Sequence, residues 1–321
     1  MKSKVLITGS AGFIGYHLAK KLCSFSNFEV FGVDNFSRHQ PDDLYQTLID
    51  HPNFTHFNID LSVPNSMNKL PQFDIVFHLA ALNGTANFYE KPLEVIRSGI
   101  IPTLNLLEVF GSKPPKKLIY AGTSESYAGA VAEFNYKVPT PEQVPLVIPD
   151  VQNPRWSYAA SKSLSEVAIA TSAAKIGFEY NIIRFHNVYG PRMGFSHVIP
   201  ELTIKASKGD YRIFGAHNSR SFIFIEDALD AIVLLLNDTK LVNQIVNIGT
   251  EELIEIKELA GLIYNIIGIK ASIEEFAAPE GSVLTRCPDT SKLKSIGFNS
   301  KFKLLEGLNS TVPYYLDFKY N

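Results

Sequence analysis

Among the 321 residues only two are cysteine, Cys23 and Cys287, and they sit far apart with no paired spacing. A disulfide framework and a zinc site both lack their ligands, and no candidate metal-binding residues stand out. Long hydrophobic runs are missing too. No segment approaches the roughly 20 apolar residues of a membrane span. The N-terminus runs straight into a short β-like stretch, without the apolar core a signal peptide needs. Neither sign of charge is in excess: 30 Lys and Arg stand against 32 Asp and Glu, a net charge of −2. The basic residues are scattered, which leaves no stripe for nucleic acid and no polybasic membrane anchor. A soluble cytoplasmic protein is expected, with no nucleic-acid or membrane partner. What the chain does have is a 45% hydrophobic share, enough to bury a proper core.

The first half alternates strand and helix signals. Short apolar runs at 5–8, 29–33, 54–59, 75–79, 117–121 and 180–185 read as strands, and helical spacing covers 12–22, 92–110 and 158–175. Strands alternating with helices predict an α/β fold, a Rossmann-type parallel sheet wound on both faces. Beyond Pro191 the pieces become irregular: helical at 200–208, 226–236 and 256–267, extended at 212–214 and 245–248. The expected organisation is a dinucleotide-binding domain over 1–186 and a smaller C-terminal substrate-binding lobe over 187–321, interleaved with the first. The proline-rich stretch 139–154 is expected to be a surface loop over the site.

Gly9, Gly12 and Gly15 follow the first strand directly and open the first helix, with Phe13 and Ile14 between the last two. Glycines there let the backbone turn tightly against a pyrophosphate, whose charge the helix N-terminus stabilises. An ordinary strand–helix turn is the bland alternative. Asp34 ends the second strand about 20 residues further on, where a carboxylate accepts hydrogen bonds from an adenosine ribose. It repels a 2′-phosphate, so NAD is favoured over NADP, although Arg38 lies close enough to soften that preference. Asn35 is a further cofactor candidate. Asp60 and Leu61 after the third strand are placed to bracket the adenine. His78, Leu79, Ala80 and Ala81 end the fourth strand with small residues that allow close backbone approach; His78 itself reads as a packed histidine.

Tyr158 and Lys162 stand at i and i+4, on one face of a helix. An ammonium beside a phenol favours the phenolate, so Lys162 is expected to lower the Tyr158 pKa; it can also hold the nicotinamide ribose. Thr123, Ser124 and Glu125 follow the fifth strand at the carboxyl edge, where ligands bind in such sheets. A hydroxyl there can bind a reacting sugar oxygen and share its proton with Tyr158, and Glu125 is a candidate acid or base for a second step. Asn187, Arg192, Arg220 and Arg286 are candidates for facing the substrate. Arginine forks match diphosphates, so as a set they suggest an anionic, diphosphate-bearing substrate.

Taken together these residues resemble the extended short-chain dehydrogenases, the NAD-dependent nucleotide-sugar epimerase/dehydratase family. The resemblance runs from Thr8-Gly9 to Arg286-Cys287-Pro288-Asp289, nearly the whole chain. It implies that Tyr158, with Thr123, takes the proton of the sugar C4 hydroxyl while NAD accepts hydride from C4. The transient 4-keto sugar is then re-reduced, dehydrated or decarboxylated, with the hydride returned. It also implies a homodimer formed through the helix bearing Tyr158 and the long helix before it.

Some details bear on subtype. Ser124 stands where glucose 4,6-dehydratases carry aspartate, and Thr123-Ser124-Glu125 is similar to mannose 4,6-dehydratases and uronate decarboxylases. Asn153-Pro154-Arg155-Trp156 resembles the glucuronate decarboxylases of lipid A modification. Gly190-Pro191-Arg192-Met193 is similar to decarboxylases generally, and Arg286 matches an arginine they need. Two departures stand out: Ala128 precedes Gly129 after Tyr127, and His186 replaces a more common aromatic or aliphatic residue. Epimerase, UDP-glucuronate-type decarboxylase and GDP-mannose-type 4,6-dehydratase all remain open at this point. The alternative of a different class is a non-catalytic NAD-binding sensor or scaffold. Such relatives typically lose the tyrosine or lysine, and both are present here. A simple reductase of small carbonyls would not need the arginine set.

Overall fold

Seven parallel strands form the central sheet of the computed structural model, which describes residues 2–38, 40–278 and 282–317. Six come from the first part of the chain: β1 (Ser3–Thr8), β2 (Phe28–Asp34), β3 (Phe54–Asn58), β4 (Ile75–His78), β5 (Lys117–Thr123) and β6 (Glu179–Phe185). The seventh, Gln244–Ile248, arrives from the C-terminal part and pairs with the outer side of β6. From that edge the order is β6, β5, β4, β1, β2, β3. Val5, Ile7, Val30, Val33, Phe77, Leu118, Ile119 and Ile183 are fully buried. Covered on both faces, such strands need continuous apolar runs, not alternating ones. Each such side chain stabilises the fold by about 1.5–3 kcal/mol. Strand order reverses between β1 and β4, and the crevice at their carboxyl ends is where a doubly wound sheet takes its ligand.

The helices of this part are α1 (Phe13–Cys23), α2 (Asp43–Ile49), α3 (Thr85–Glu90), α4 (Pro92–Phe110), α5 (Ala128–Phe134) and α6 (Ser157–Ile176). Pro92 opens α4 at a position whose N–H would have no helical partner. Alanine-rich α6 ends at Gly177, which takes the left-handed conformation at φ 93°. Tyr158, Lys162 and Glu166 recur every four residues along α6 and are all buried. Arg184 of β6 donates to both Glu166 oxygens, at 3.0 and 2.6 Å, and to the Glu142 carbonyl at 3.0 Å. Breaking a buried pair of this kind by removing one partner costs about 3–5 kcal/mol. The pair fixes α6 against β6, and with it the height of Tyr158 and Lys162 over the sheet edge.

The long elements lie where the sequence pattern puts them. Among the described residues five helices do not appear in that pattern: α2, α3, α5, Ser291–Ser295 and Leu304–Asp317. The first four have at most seven residues, too short for a helical period. The start of α2 is marked by Asp42, whose side chain caps Tyr45 N at 2.8 Å. The last carries Pro313 in its interior, which reads as a breaker. The stretch 139–154 is no plain surface loop. Thr140 and Glu142 are buried; Thr140 exchanges backbone hydrogen bonds with Cys287 and Asp289, and Glu142 accepts Asn247 N at 3.0 Å. Its first residues are threaded into the body because they pair with the segment that follows Arg286. Among the described residues no helix is long and apolar enough to cross a membrane.

Candidate active site

Two adjoining cavities, of about 400 and 530 Å³, open along the carboxyl edge of the sheet and share Gly9, Gly12, Arg38 and Ala81. The first is also lined by Asp34, Asn35, Asp60, Leu61 and Ala80. The second takes in Phe13, Ile14, Gly15 and Leu79, then Thr123, Ser124, Glu125, Tyr158, Lys162, Asn187, Arg192, Arg220 and Arg286. Every candidate residue of the sequence therefore faces one continuous cleft.

The glycine turn is built for close approach. Gly9 has φ +71°, and a Cβ there would lie 2.9 Å from the Ala80 backbone; a Cβ on Gly15 would strike the Gly9 carbonyl. Gly12 precedes α1 without a side-chain cap, and no acidic residue occupies the first turn. The helix thus offers its N–H groups and positive dipole end to an anion. Asp34 accepts from Ala11 N at 3.1 Å and Phe36 N at 2.9 Å, which aims its carboxylate along the cavity wall. Asp60 accepts from Ser62 N and Oγ at 2.8 and 2.6 Å. Burial pushes the Asp60 carboxyl up, but hydrogen bonds from Ser62 and Asn35 outweigh it and hold the group below its usual range. This donor and acceptor set fits a dinucleotide: a glycine cradle for the diphosphate and carboxylates for the adenosine end. Arg38 donates to Asn83 at 3.2 Å, and its Nη2 lies 3.4 Å from where a Gly12 Cβ would stand. That puts its charge over the glycine turn. His78 is packed, as expected, bonded to Thr8 at 2.7 Å and Thr103 at 3.1 Å.

Thr123, Tyr158 and Lys162 stand together in the second cavity. Thr123 ends β5 and its hydroxyl reaches the Tyr158 phenol. Phe88 of α3 stacks on the Tyr158 ring, centroids 5.0 Å apart and planes 13° off parallel. Here the structure corrects the expected electrostatics. Burial, reinforced by the Glu125 carboxylate, pushes the Tyr158 pKa up; Arg38 and Thr123 only partly offset it. Lys162 does not lower it. Its ammonium lies over the Tyr120 ring, 4.2 Å from the centroid, and burial brings its own pKa down to about 7, with Glu166 opposing. A lysine so buried is only part-charged near neutrality, so it has little field to lend the phenol.

Glu125 also departs from expectation. It accepts from Arg286 Nη1 at 2.6 Å and Arg155 Nη1 at 3.1 Å. Burial alone would raise its carboxyl, but Arg286 and Arg155 overcome that and hold it at about 2. A group this acidic carries no proton near neutral pH, so the acid half of its expected role is lost. Arg155 lines the same cleft and was not among the candidates; its signal was Asn153-Pro154-Arg155-Trp156, just ahead of Tyr158. Asn153 caps Arg155 N at 3.0 Å, starting the 3-10 turn that leads into α6.

The remaining candidates divide. Asn187 has φ +39° and donates to the Ser221 carbonyl at 2.8 Å. Arg220 donates to the carbonyls of Ser219, Leu284 and Val283 at 2.8, 3.1 and 2.7 Å, bracing the strand that carries Arg286. Burial first, then Arg286, brings its pKa down to about 9. Arg192 lines the cleft as well, but its hydrogen bonds run to the glycine-turn side. It pairs with Asp42 at 2.7 Å, donates to the Ala11 carbonyl at 3.2 Å and lies 4.3 Å from the Tyr16 ring centroid. Three of its neighbours belong to the dinucleotide side, so it ties the C-terminal part to the glycine turn.

The model of the NAD dependent epimerase/dehydratase family matches residues 5–249. The UDP-N-acetyl-alpha-D-glucosaminuronate decarboxylase of Bacillus cytotoxicus is 33% identical over 328 positions covering 98% of each chain. Among solved structures, the UDP-glucose 4-epimerase of Thermotoga maritima with UDP-glucose superimposes with a TM-score of 0.85, at 29% identity and 98% coverage of both chains. The UDP-glucuronic acid 4-epimerase of Bacillus cereus, in complex with UDP-glucuronic acid and NAD, gives 0.88 at 25% identity, covering 98% of this chain and 99% of its own.

Proposed function

Because the chain belongs to the NAD-dependent epimerase/dehydratase family, whose members oxidise and re-reduce a nucleotide sugar with NAD, we propose that this enzyme is a UDP-hexuronate decarboxylase. The observation that carries the reading is a surplus of positive charge beside Thr123 and Tyr158. Three guanidinium groups, Arg155, Arg220 and Arg286, act on the single carboxylate of Glu125 and on one another. Arg286 Nε is buried and has no hydrogen-bond partner among the described residues. A buried donor on a cation calls for an anionic acceptor. A sugar carboxylate at C6 supplies one, whereas a neutral C6 hydroxyl leaves the surplus uncompensated.

Tyr158 accepts the C4 hydroxyl proton and Thr123 holds the same oxygen. NAD, when bound, supplies the hydride acceptor. The C4 ketone stands β to the C6 carboxylate, so the C5–C6 bond breaks with its electron pair drawn toward the C4 oxygen. The Tyr158 hydroxyl donates to that oxygen as charge develops there. Carbon dioxide leaves and C5 takes a proton from water. With NAD bound, the stored hydride would return to C4 while Tyr158 gives its proton back to the C4 oxygen. A 4,6-dehydration fits these residues less well: it needs an acid for the leaving C6 hydroxyl, and Ser124 and the ionised Glu125 provide none. A hexuronate 4-epimerase is the second reading, favoured by the UDP-glucuronic acid bound to the Bacillus cereus protein.

Incubation with UDP-glucuronate and UDP-N-acetylglucosaminuronate is expected to yield a product lighter by carbon dioxide, read by mass. An unchanged mass with altered C4 stereochemistry by NMR would overturn this in favour of the epimerase. Leu93 and Leu104 on α4, with Leu164 and Val167 on α6, form an exposed apolar face at helical spacing. A second copy covering that face makes the enzyme a homodimer. Sedimentation is expected to give twice the chain mass, and a monomer at micromolar concentration would refute the pairing.

A further inference from the structure

We propose that His186 is a positioning residue that acts through Tyr127, holding the turn bearing Ser124 and Glu125 against Arg286 and thereby governing carbon dioxide loss more than C4 oxidation. This rests on the decarboxylase reading above.

His186 is fully buried at the end of β6, immediately before Asn187 in the cleft. Its backbone N–H donates to the Ile248 carbonyl at 2.9 Å, anchoring it to the neighbouring strand end. Its Nε2 shares a hydrogen bond with the Tyr127 hydroxyl. Tyr127, itself buried, is the last residue of the 3-10 turn Ser124–Tyr127, and that turn starts with Glu125 N donating to Thr123 Oγ1 at 3.2 Å. On the other side, a Cβ on Gly249 would lie 2.8 Å from both His186 Cβ and Pro288 Cγ. Gly249 is therefore closely packed between His186 and Pro288, which lies two residues beyond Arg286. His186 thus joins the ends of two strands through its backbone and the Glu125 turn through its ring, with only Gly249 between it and the Arg286 segment.

The ring's electrostatics suit a fixed brace. Burial first, then the Arg286 and Arg184 guanidinium groups, hold its pKa well below the usual histidine range, with Glu125 opposing. Its surroundings thus favour the neutral imidazole. Its Nδ1 is buried with no hydrogen-bond partner among the described residues. A phenylalanine would fill the same space without that unsatisfied nitrogen. What phenylalanine lacks is the bond to Tyr127.

The test uses the full-length enzyme with NAD and a hexuronate that the wild type decarboxylates. Nicotinamide reduction in a single turnover and carbon dioxide release are followed in parallel. In His186→Phe, C4 oxidation is expected to stay within about threefold. Carbon dioxide release falls about ten- to a hundredfold, the range in which small misplacements act. Reduced nicotinamide then accumulates during turnover. Tyr127→Phe gives the same pattern, and the double variant is no slower than either single one, because both remove one bond. His186→Gln, whose Nε2 can donate to the Tyr127 oxygen, restores release to within a few fold. The inference is overturned if oxidation and release fall together, if the two phenylalanine effects multiply, or if the glutamine variant stays as slow as phenylalanine. Should His186→Phe not fold, Tyr127→Phe and His186→Gln carry the same comparison. Wild-type enzyme that releases no carbon dioxide from any hexuronate would instead remove the decarboxylase reading itself.

Discussion

Tyr158→Phe is expected to lower turnover by about 10²- to 10⁴-fold, the range for loss of one positioned proton-transfer group, while NAD affinity stays within a few fold. The substitution is close to surgical. The ring keeps its stack on Phe88, and α6 stays tied to β6 through Glu166 and Arg184. What disappears is a hydroxyl in the second cavity, within reach of Thr123. C4 oxidation requires a group that takes a proton as hydride leaves, and Thr123 alone is too weak a base. Burial and Glu125 hold the phenol protonated, so an opposing positive charge must act on it during the reaction. Lys162, with its pKa near 7, supplies such a charge only in part, and an oxidised nicotinamide bound in the cleft would supply another. The check is kcat with a hexuronate beside NAD binding by calorimetry. Undiminished kcat would sink the mechanism, and lost NAD binding would mean that the residue serves the cofactor instead.

The sequence and the structure agree most where a local pattern suffices. Gly9 and Gly12 had to lie between a strand and a helix, Gly15 in that helix's first turn and Asp34 at the next strand end, because a βαβ unit permits little else. Tyr158 and Lys162 shared a helix face from spacing alone. Interactions between distant segments were not legible. Nothing local says that Arg192 pairs with Asp42, 150 positions away, or that Arg155 and Arg286 close on Glu125 from both sides. The arginines looked alike as a set, yet one ties two parts of the chain together, one braces a strand and one reaches Glu125. Burial was equally hidden. The i, i+4 spacing of Tyr158 and Lys162 suggested a lowered phenol pKa, but the depth at which both are packed reverses the expected shift.

Arg286→Met is expected to reduce carbon dioxide release by about 10²- to 10³-fold, the usual effect of removing one preorganised electrostatic group. The same change frees Glu125 from its nearest cation. With Arg286 gone, Arg155 at 3.1 Å is the one ion-pair partner left among the described residues for a carboxylate that burial pushes upward. The Glu125 pKa therefore rises from about 2 toward the ordinary range. Its sign for stability follows. A depressed carboxyl stabilises the fold above its unfolded pKa, and that contribution is lost as pH falls from about 4.3 toward 2. Once Arg286 is removed the contribution shrinks, and the variant unfolds at higher pH during acid titration than the wild type. Arg286→Lys keeps a charge but loses the fork, so it should recover most of the acid stability and little of the rate. Rate and acid midpoint measured on the three proteins separate the two roles. If Arg286→Met decarboxylates normally, the surplus charge beside Thr123 and Tyr158 serves the fold alone, and the substrate carboxylate binds elsewhere.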